Sequence, residues 1–232
     1  NFFNFLIHDD NLYLYKIIIN QFYIKMIFLN RLIRKMNIHV EGNIGAGKST
    51  LLNYLKDNLE CNISQEPVGE WMKMDLLDKF YKDIDRWSFA FQMNCFISRT
   101  HQVDQLPEGN NFIERSILSD RIFAQNCFDN GNMDKTEFEI YTKWSVWLEK
   151  RVCKEIKNVI YLRSSPAVSY ERIKKRSRDG EETIPMEYLK QLHDLHDVWL
   201  MDNEELNVLV LNADDLKLDN NITNIIKDKF LF

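Results

Sequence analysis

The sequence predicts an α/β fold, a doubly wound parallel sheet flanked by helices. Short apolar segments that are typical of strands alternate with longer amphipathic segments along residues 36–211, and this alternation indicates parallel strands joined by helices. The first strand and helix are joined by residues 42–49, whose glycine spacing is typical of a phosphate-binding loop. We expect one domain over residues 36–232, because no linker or internal repeat interrupts the pattern.

A phosphate-loop pattern, G-x-x-x-x-G-K-[ST], spans residues 42–49. Alternating apolar residues before it predict a strand, and leucines at helical spacing after it predict a helix. Glycines let the backbone approach a phosphate chain, and the helix adds its positive end. Lys48 is then expected at the β- and γ-phosphates and Ser49 at Mg²⁺. The sequence therefore predicts a P-loop NTPase-type fold, with a nucleotide site at Gly42, Asn43, Ile44, Gly45, Ala46, Gly47, Lys48, Ser49 and Thr50.

Composition argues against several classes of protein. The formal net charge is −5 and no basic stripe is present, so we expect no nucleic-acid partner. The 4 cysteines are scattered without a C-x-x-C pair, which argues against both disulfide bonds and a zinc site. A reduced, cytoplasmic setting is the expectation that follows.

Residues 1–35 differ from the rest of the chain. They are rich in Asn, Ile, Phe, Tyr, Leu and Lys, and they contain no Gly or Pro. Polar residues interrupt every apolar run, which argues against a membrane-spanning helix, and the Ser- and Arg-rich composition of an organelle-targeting peptide is missing. We expect an N-terminal extension of translated upstream sequence, with Met36 as the natural start. A membrane or targeting segment is the alternative.

The elements that follow the phosphate-loop helix bring charged residues to one edge of the sheet. They are a strand over 61–65, a helix over 86–105, a strand over 111–113, a helix over 135–152, a strand over 158–162, helices opening at Pro166 and Pro185, and a strand over 207–211. Pro67 keeps Glu66 out of any helix, so this acid lies at the carboxyl end of a strand. Glu114 and Arg115 follow another strand to the same edge, where open α/β sheets bind ligands.

Several segments, in this order, resemble the deoxynucleoside kinases. They are residues 41–49, Glu66-Pro67-Val68 with Trp71, Trp87 with Phe91-Gln92, Glu114-Arg115-Ser116, and the run of Arg172, Arg176 and Arg178 that leads to Ile184-Pro185. Within the family, the chain resembles the deoxycytidine, deoxyguanosine and deoxyadenosine kinases. The resemblance implies ATP-dependent phosphorylation of a deoxynucleoside 5′-hydroxyl in nucleotide salvage, with Mg²⁺ as the metal.

Five residues are candidates for the chemical step and its metal ion. A carboxylate at the position of Glu66 can accept the proton of a sugar 5′-hydroxyl. Arg115 is expected to stabilise charge on the transferring phosphoryl group, together with Lys48. Glu114 is expected to help Ser49 hold Mg²⁺ through oxygen or water.

A second group of residues is assigned to the nucleoside. Gln92 carries an amide that can read a base edge by donating and accepting together. Arg99 follows Gln92 by seven residues on the same helix face, and in the family an Arg/Asp pair like Arg99 and Asp120 is typical of purine- and deoxycytidine-using members. We therefore expect thymidine to be disfavoured, with the choice among dA, dG and dC left open. The resemblance adds Trp71, with Phe91 and Phe123 around the base and Tyr81 and Glu181 at the sugar 3′-hydroxyl.

The basic run Arg172, Arg176 and Arg178 resembles the family's lid over the ATP phosphates. Asp215, after the last strand, is assigned to adenine through its backbone. His193 and His196 share a helix face, and we interpret them as structural rather than as metal ligands because no third ligand is near in sequence.

The alternatives are a nucleoside monophosphate kinase and a non-catalytic interaction subunit. Glu66 on the acceptor side would repel an acceptor phosphate, and the joint presence of Lys48, Glu66 and Arg115 argues for catalysis. The lack of an N-K-x-D segment argues against a guanine-specific GTPase switch. A homodimer is also expected: the helix over 135–152 carries more large apolar residues than one inward stripe needs, and the resemblance places helices of this region at a two-fold interface.

Overall fold

The computed structural model describes residues 36–152, 156–178, 180–181 and 183–232. Within these residues, 5 parallel strands form one sheet in the order β2-β3-β1-β4-β5, which confirms the predicted fold class. The strands are β1 (Met36–Glu41), β2 (Asn62–Ser64), β3 (Asn110–Glu114), β4 (Asn158–Arg163) and β5 (Asn207–Asn212). The predicted extension over residues 1–35 lies outside the described residues.

Helices fill the connections between the strands. They are α1 (Lys48–Asn58), α2 (Val68–Lys73), α3 (Leu76–Lys82), α4 (Ile84–Asp104), α5 (Ile117–Asp129), α6 (Lys135–Val152), α7 (Pro166–Arg176), α8 (Met186–Leu200) and α9 (Asn220–Phe230). Among the residues that the structure describes, none of these helices combines the length and apolar character that crossing a membrane requires.

The sheet buries both of its faces. Alternate β1 side chains, Ile38 and Val40, pack with the leucines of α1 and with α9 in the largest apolar cluster. On the other face, Val159 and Tyr161 of β4 pack against Leu200 of α8. Side chains of a strand alternate between faces, so burial on both sides explains why β1 and β4 are almost wholly enclosed.

A separate apolar cluster extends the domain beyond the sheet. It joins α2 to α6 around Trp71, Phe80, Phe91 and Phe96, and buried Tyr141 of α6 belongs to it. The helices α2, α3, α5 and α9 were absent from the sequence prediction. Arg178, the last arginine of the predicted basic run, lies beyond the end of α7, because the backbone at Ser177 turns left-handed with φ 48°.

Candidate active site

The phosphate loop connects β1 to α1 with almost no spare space. Gly42 has φ 141°, and a Cβ there would lie 2.5 Å from the Leu162 carbonyl oxygen of β4. Gly45 has φ 77°, and a Cβ there would lie 2.5 Å from the Ser169 carbonyl oxygen of α7. Both positions therefore require glycine, and the loop is packed between β4 and α7.

Side chains within the loop hold its shape. Asn43 is buried, donates from Nδ2 to the Leu189 carbonyl at 2.7 Å and accepts from the Ile44 amide at 2.8 Å. Lys48 donates from Nζ to the carbonyls of Asn43 at 2.8 Å and Gly42 at 3.3 Å. Burial, together with the charge of Arg115, lowers the pKa of Lys48 to about 8. The ammonium thus lies across the loop, where phosphates of a nucleotide would restore its full charge.

Two cavities meet beside this loop. The aromatic cavity, of about 260 Å³, has in its lining Glu66, Trp71, Tyr81, Phe91, Gln92, Arg99, Arg115, Asp120, Phe123 and Glu181. The loop cavity, of about 450 Å³, has in its lining Gly45, Ala46, Gly47, Lys48, Ser49, Thr50, Arg172, Arg176 and Arg178. The two linings share Gly45, Lys48, Ser49, Glu114, Arg176 and Arg178. Every residue assigned to the nucleoside from the sequence thus lies around one cavity, which opens onto the phosphate loop.

Glu66 lies just past the carboxyl end of β2, between two buried arginines. Its Oε1 is 2.9 Å from Arg99 Nη2 and 3.1 Å from Arg115 Nε. Burial by itself raises the pKa of Glu66, but the charges of Arg115 and Arg99 outweigh it and hold the pKa at about 2. Glu66 is therefore an ionised carboxylate at neutral pH, and it lines the aromatic cavity close enough to Lys48 for that charge to lower its pKa further.

Arg99 of α4 is the most heavily bonded side chain of the site. Its guanidinium donates to both carboxylate oxygens of Asp120, at 2.9 and 3.1 Å, to Glu66 and to the carbonyl of Glu114 at 2.9 Å. Burial disfavours its charge, but Asp120 and Glu66 raise the pKa of Arg99 above its usual value. The sequence predicted the pairing of Arg99 with Asp120, but it did not predict the contact of Arg99 with Glu66, which is 33 residues away.

Arg115 is held just after β3 with its guanidinium turned to Glu66. The guanidinium also lies 4.6 Å from the Phe123 ring centroid, and Nη1 lies 3.5 Å from Nε2 of His196. Burial lowers the pKa of His196 to about 3, so this imidazole is neutral, and its Nδ1 contacts the Leu192 carbonyl at 2.6 Å. These contacts give His196 a role in the packing of Arg115.

The far end of the aromatic cavity is apolar. Phe91 stacks on Phe80 with centroids 4.5 Å apart and meets the edge of Trp71 at 5.7 Å. Gln92 is buried beside them, with Nε2 3.9 Å from the sulfur of Cys127. Tyr188 of α8 also lines this cavity and was missed by sequence analysis, because a tyrosine on an amphipathic helix carries no distinguishing signal.

The arginines that were predicted to form the lid all have partners within the protein. Arg172 donates to the carbonyls of Ala213 at 2.8 Å and Ala46 at 3.4 Å. Arg176 and Arg178 both pair with Glu181, the latter at 3.0 Å. Because Glu181 also lines the aromatic cavity, it connects these arginines to that cavity. Tyr81 is another residue of the same lining.

Ser49, Glu114 and Asp215 were also predicted to lie at the nucleotide. Ser49 Oγ donates to both oxygens of Glu114, at 2.9 and 3.1 Å, so a hydroxyl and a carboxylate stand together at the mouth of the phosphate loop. Asp215 lies outside the linings of both cavities and accepts from Asn212 at 3.4 Å, while its neighbour Leu216 lines the loop cavity.

The fold and the site together define a phosphotransferase that uses a nucleoside triphosphate. A phosphate loop supplies the donor site, and the adjoining aromatic cavity, with a fixed carboxylate at its mouth, supplies the acceptor site.

Comparison with known proteins identifies the family. The profile described as deoxynucleoside kinase matches residues 38–230. The probable deoxycytidine kinase of fowlpox virus is 44% identical over 185 residues, which cover 76% of this chain and 78% of that protein. Deoxycytidine kinase 2 of Gallus gallus is 34% identical over 226 residues, covering 80% and 85%. The mitochondrial thymidine kinase 2 of Homo sapiens is 32% identical over 191 residues, covering 78% and 72%.

The chain belongs to the deoxynucleoside kinase family. It is an enzyme that phosphorylates deoxynucleosides in nucleotide salvage, with ATP as the phosphate donor.

Proposed function

We propose that the chain transfers the γ-phosphoryl group of ATP to the 5′-hydroxyl of deoxycytidine, deoxyadenosine or deoxyguanosine in preference to thymidine. The observation that carries the proposal is the position of Glu66, whose Oε1 is held by Arg99 and Arg115 where the aromatic cavity meets the phosphate loop. A 5′-hydroxyl at this carboxylate lies between the base-binding residues and the donor phosphates.

Glu66 acts in this proposal by orientation more than by basicity. A carboxylate whose pKa is about 2 is a poor match for an alcohol proton at neutral pH. The transition state of phosphoryl transfer is loose in most accounts, however, so the hydroxyl needs to lose its proton only late. Glu66 therefore aligns the hydroxyl by accepting its hydrogen bond and takes the proton as the new P–O bond forms.

Arg115 and Lys48 are the cations that we propose to stabilise negative charge on the transferring phosphoryl group. Both line the aromatic cavity, and Lys48 lines the loop cavity as well. Fixed cations beside the transferring group stabilise charge without reorganising during the reaction. Arg176 and Arg178 line both cavities and are the proposed lid contacts to ATP phosphates.

Ser49 and Glu114 are the proposed holders of Mg²⁺. Their oxygens already stand 2.9 Å apart at the phosphate loop, and a hydroxyl with one carboxylate fits an ion that keeps waters and substrate phosphates as its other ligands. When bound, Mg²⁺ would neutralise negative charge on the phosphates. In the residues described here, no group of three or more His, Cys, Asp or Glu forms an all-protein metal cage, and this chemistry requires none.

Competition among the four natural deoxynucleosides tests the proposed preference. Arg99 and Asp120 both line the aromatic cavity, and in this proposal they leave little room for the 5-methyl group of thymine, whereas cytosine and purines offer amino or ring-nitrogen partners to Gln92. We expect at least one of dC, dA or dG to exceed thymidine about tenfold in kcat/KM, which corresponds to about 1.4 kcal/mol. Competition assays with ATP and equimolar acceptors measure this ratio. Thymidine as the preferred substrate would contradict it.

Of the alternatives, a monophosphate kinase needs cations for the acceptor phosphate. The guanidinium groups of Arg99 and Arg115 both face the carboxylate of Glu66, and Asp120 takes up two further bonds of Arg99. Deoxycytidine monophosphate, offered as acceptor in the same assays, is therefore expected to fail. The alternative of a non-catalytic interaction subunit is contradicted by the membership of the chain in a family of kinases.

A homodimer through α6 is also proposed. Among the large apolar residues of this helix, Tyr141 is 1% exposed and packs inward, whereas Trp144 and Trp147 are 49% and 47% exposed. They continue a stripe from Ile140 at spacings of four and three residues, and their rings meet edge to face at 5.8 Å. An exposed apolar stripe of this kind is typical of an interface.

Light scattering at micromolar concentration tests the dimer. We expect the unmodified chain to have the mass of a dimer and Trp147→Glu to have the mass of a monomer, because a carboxylate cannot be buried unpaired at such an interface. Val198→Glu is the matched control, since Val198 is 83% exposed on α8 and away from the stripe. A monomeric unmodified chain would overturn the proposal.

We also propose a cytoplasmic location. Its support is the scattered cysteine usage, because thiols without paired spacing are typical of a reducing compartment. The mitochondrion is the alternative, since one of the relatives carries that location in its name.

A further inference from the structure

Arg115 has a backbone conformation that a side chain disfavours. Its φ is 63°, in the left-handed region, and it links the last residue of β3, Glu114, to the N-cap of α5, Ser116. The guanidinium leaves the chain from this turn and reaches Glu66. Any group that holds the turn therefore sets where the guanidinium lies.

Two contacts from β1 hold the turn from its two ends. The Arg115 amide donates to the Val40 carbonyl at 2.9 Å, which continues the pairing of β1 with β3. The Arg115 carbonyl lies 3.2 Å from Nδ1 of His39. A carbonyl oxygen only accepts, so the hydrogen of this bond is on His39 Nδ1.

His39 is a costly residue for its position. It is 1% exposed, in the middle of a central strand, between Ile38 and Val40, which are fully buried. Burial lowers the pKa of His39 to about 4, so the ring is neutral at pH 7 and carries a single N–H. That N–H is given to the carbonyl of Arg115. A leucine or valine would pack in this strand without that cost, but it would leave the carbonyl of the turn without this donor.

We propose that His39 is a positioning residue for phosphoryl transfer: its hydrogen bond to the main-chain carbonyl of Arg115 fixes the left-handed turn and so aims the guanidinium at Glu66. His39 lines neither cavity and acts only through Arg115. The inference rests on the proposed role of Arg115 in the transfer.

Two amide variants of His39 make the sharpest test. The amide nitrogen of Asn lies about where Nδ1 of His lies, whereas that of Gln reaches the position of Nε2. We expect His39→Gln to lower kcat about tenfold with both KM values within about twofold, because binding contacts remain and the transition-state contact of Arg115 is displaced. His39→Asn should stay within about threefold of the unmodified kcat. His39→Leu, whose side chain carries no donor, replaces the Gln variant if the Gln variant does not fold.

Two control variants separate positioning from loss of structure and from failure of the proposed function. Asn111→Leu removes buried hydrogen bonds to Asn37, Pro107 and Gly109 at the other end of the sheet, so it should lower Tm with kcat unchanged. Arg115→Ala should lower kcat by more than either His39 variant does. If Arg115→Ala keeps normal kcat, the proposed role of Arg115 fails. If Arg115→Ala is impaired but His39→Gln and His39→Asn are equally fast or equally slow, the positioning role of His39 is wrong.

Discussion

Replacing Glu66 with Gln is expected to lower kcat about 10²–10⁴-fold while deoxynucleoside binding survives. The amide keeps the shape of the side chain, and its oxygen can still accept from Arg99 and Arg115, but it cannot take up the proton of the 5′-hydroxyl. Steady-state kinetics measure the loss in kcat, and calorimetric titration with deoxynucleoside measures the retained affinity. The matched control is Glu70→Gln, an exposed acid of α2 outside both cavity linings.

The pH dependence of the unmodified enzyme gives a second check on Glu66. Protonation would remove the acceptor for the hydroxyl proton, so activity would be lost as pH falls through the folded-state pKa. That pKa is about 2, against a usual value of 4.5, so Glu66 should add no acidic limb to the kcat profile above about pH 4. A limb near the usual carboxyl value that disappears in Glu66→Gln would show that the two arginines do not hold this carboxylate as described. A Gln variant with near-normal kcat would show that Glu66 is not the base.

Arg99→Met is expected to destabilise the fold by about 3–5 kcal/mol and to lower kcat as well. The change leaves the Asp120 carboxylate, 4% exposed, without its bidentate partner, and it removes one of two guanidinium groups from Glu66. Urea unfolding measures the stability, and single-acceptor kinetics measure the turnover. The same replacement at Arg121, whose side chain is 46% exposed in its pair with Glu149, should cost at most about 1 kcal/mol.

The double variant Arg99→Met with Asp120→Ala separates the two effects. Removing the unpaired carboxylate should restore part of the stability, because the charge that was costly to bury is gone. The wider cavity should raise the share of thymidine in a competition assay. Total turnover should still stay below that of the unmodified enzyme, since Glu66 has lost Arg99. A double variant as unstable as Arg99→Met alone would contradict the assignment of the cost to Asp120.

The phosphate loop and the strand-end acids could be predicted from sequence because both depend on local rules. The glycine spacing specifies the loop, and parallel strands bring their carboxyl ends to one edge, so Glu66 and Glu114 had to be near it. The family resemblance then supplied residues such as Tyr81 and Phe123, whose types alone are uninformative. Their place in the cavity lining agrees with those assignments, while their contacts to substrate stay predictions.

Other parts of the site could not be predicted because they depend on tertiary geometry. Arg99 reaches Glu66 only because α4 packs beside the end of β2, and no pattern in the sequence carries that distance. The left-handed turn at Arg115 also has no signal in the sequence, because a positive φ is expected at glycine and not at arginine. The helix α3 is short and forms through burial of Phe80, so its helical spacing gives too weak a signal.

The close approach of Gly45 to α7 also limits how the loop cavity can open. The first turns of α7 are pressed onto the phosphate loop through the Ser169 carbonyl, and Arg172 ties the helix to Ala213. Rotation of α7 as a rigid body would break these contacts and distort the phosphate loop. Entry of ATP and release of ADP are therefore expected to leave the position of α7 against the phosphate loop unchanged.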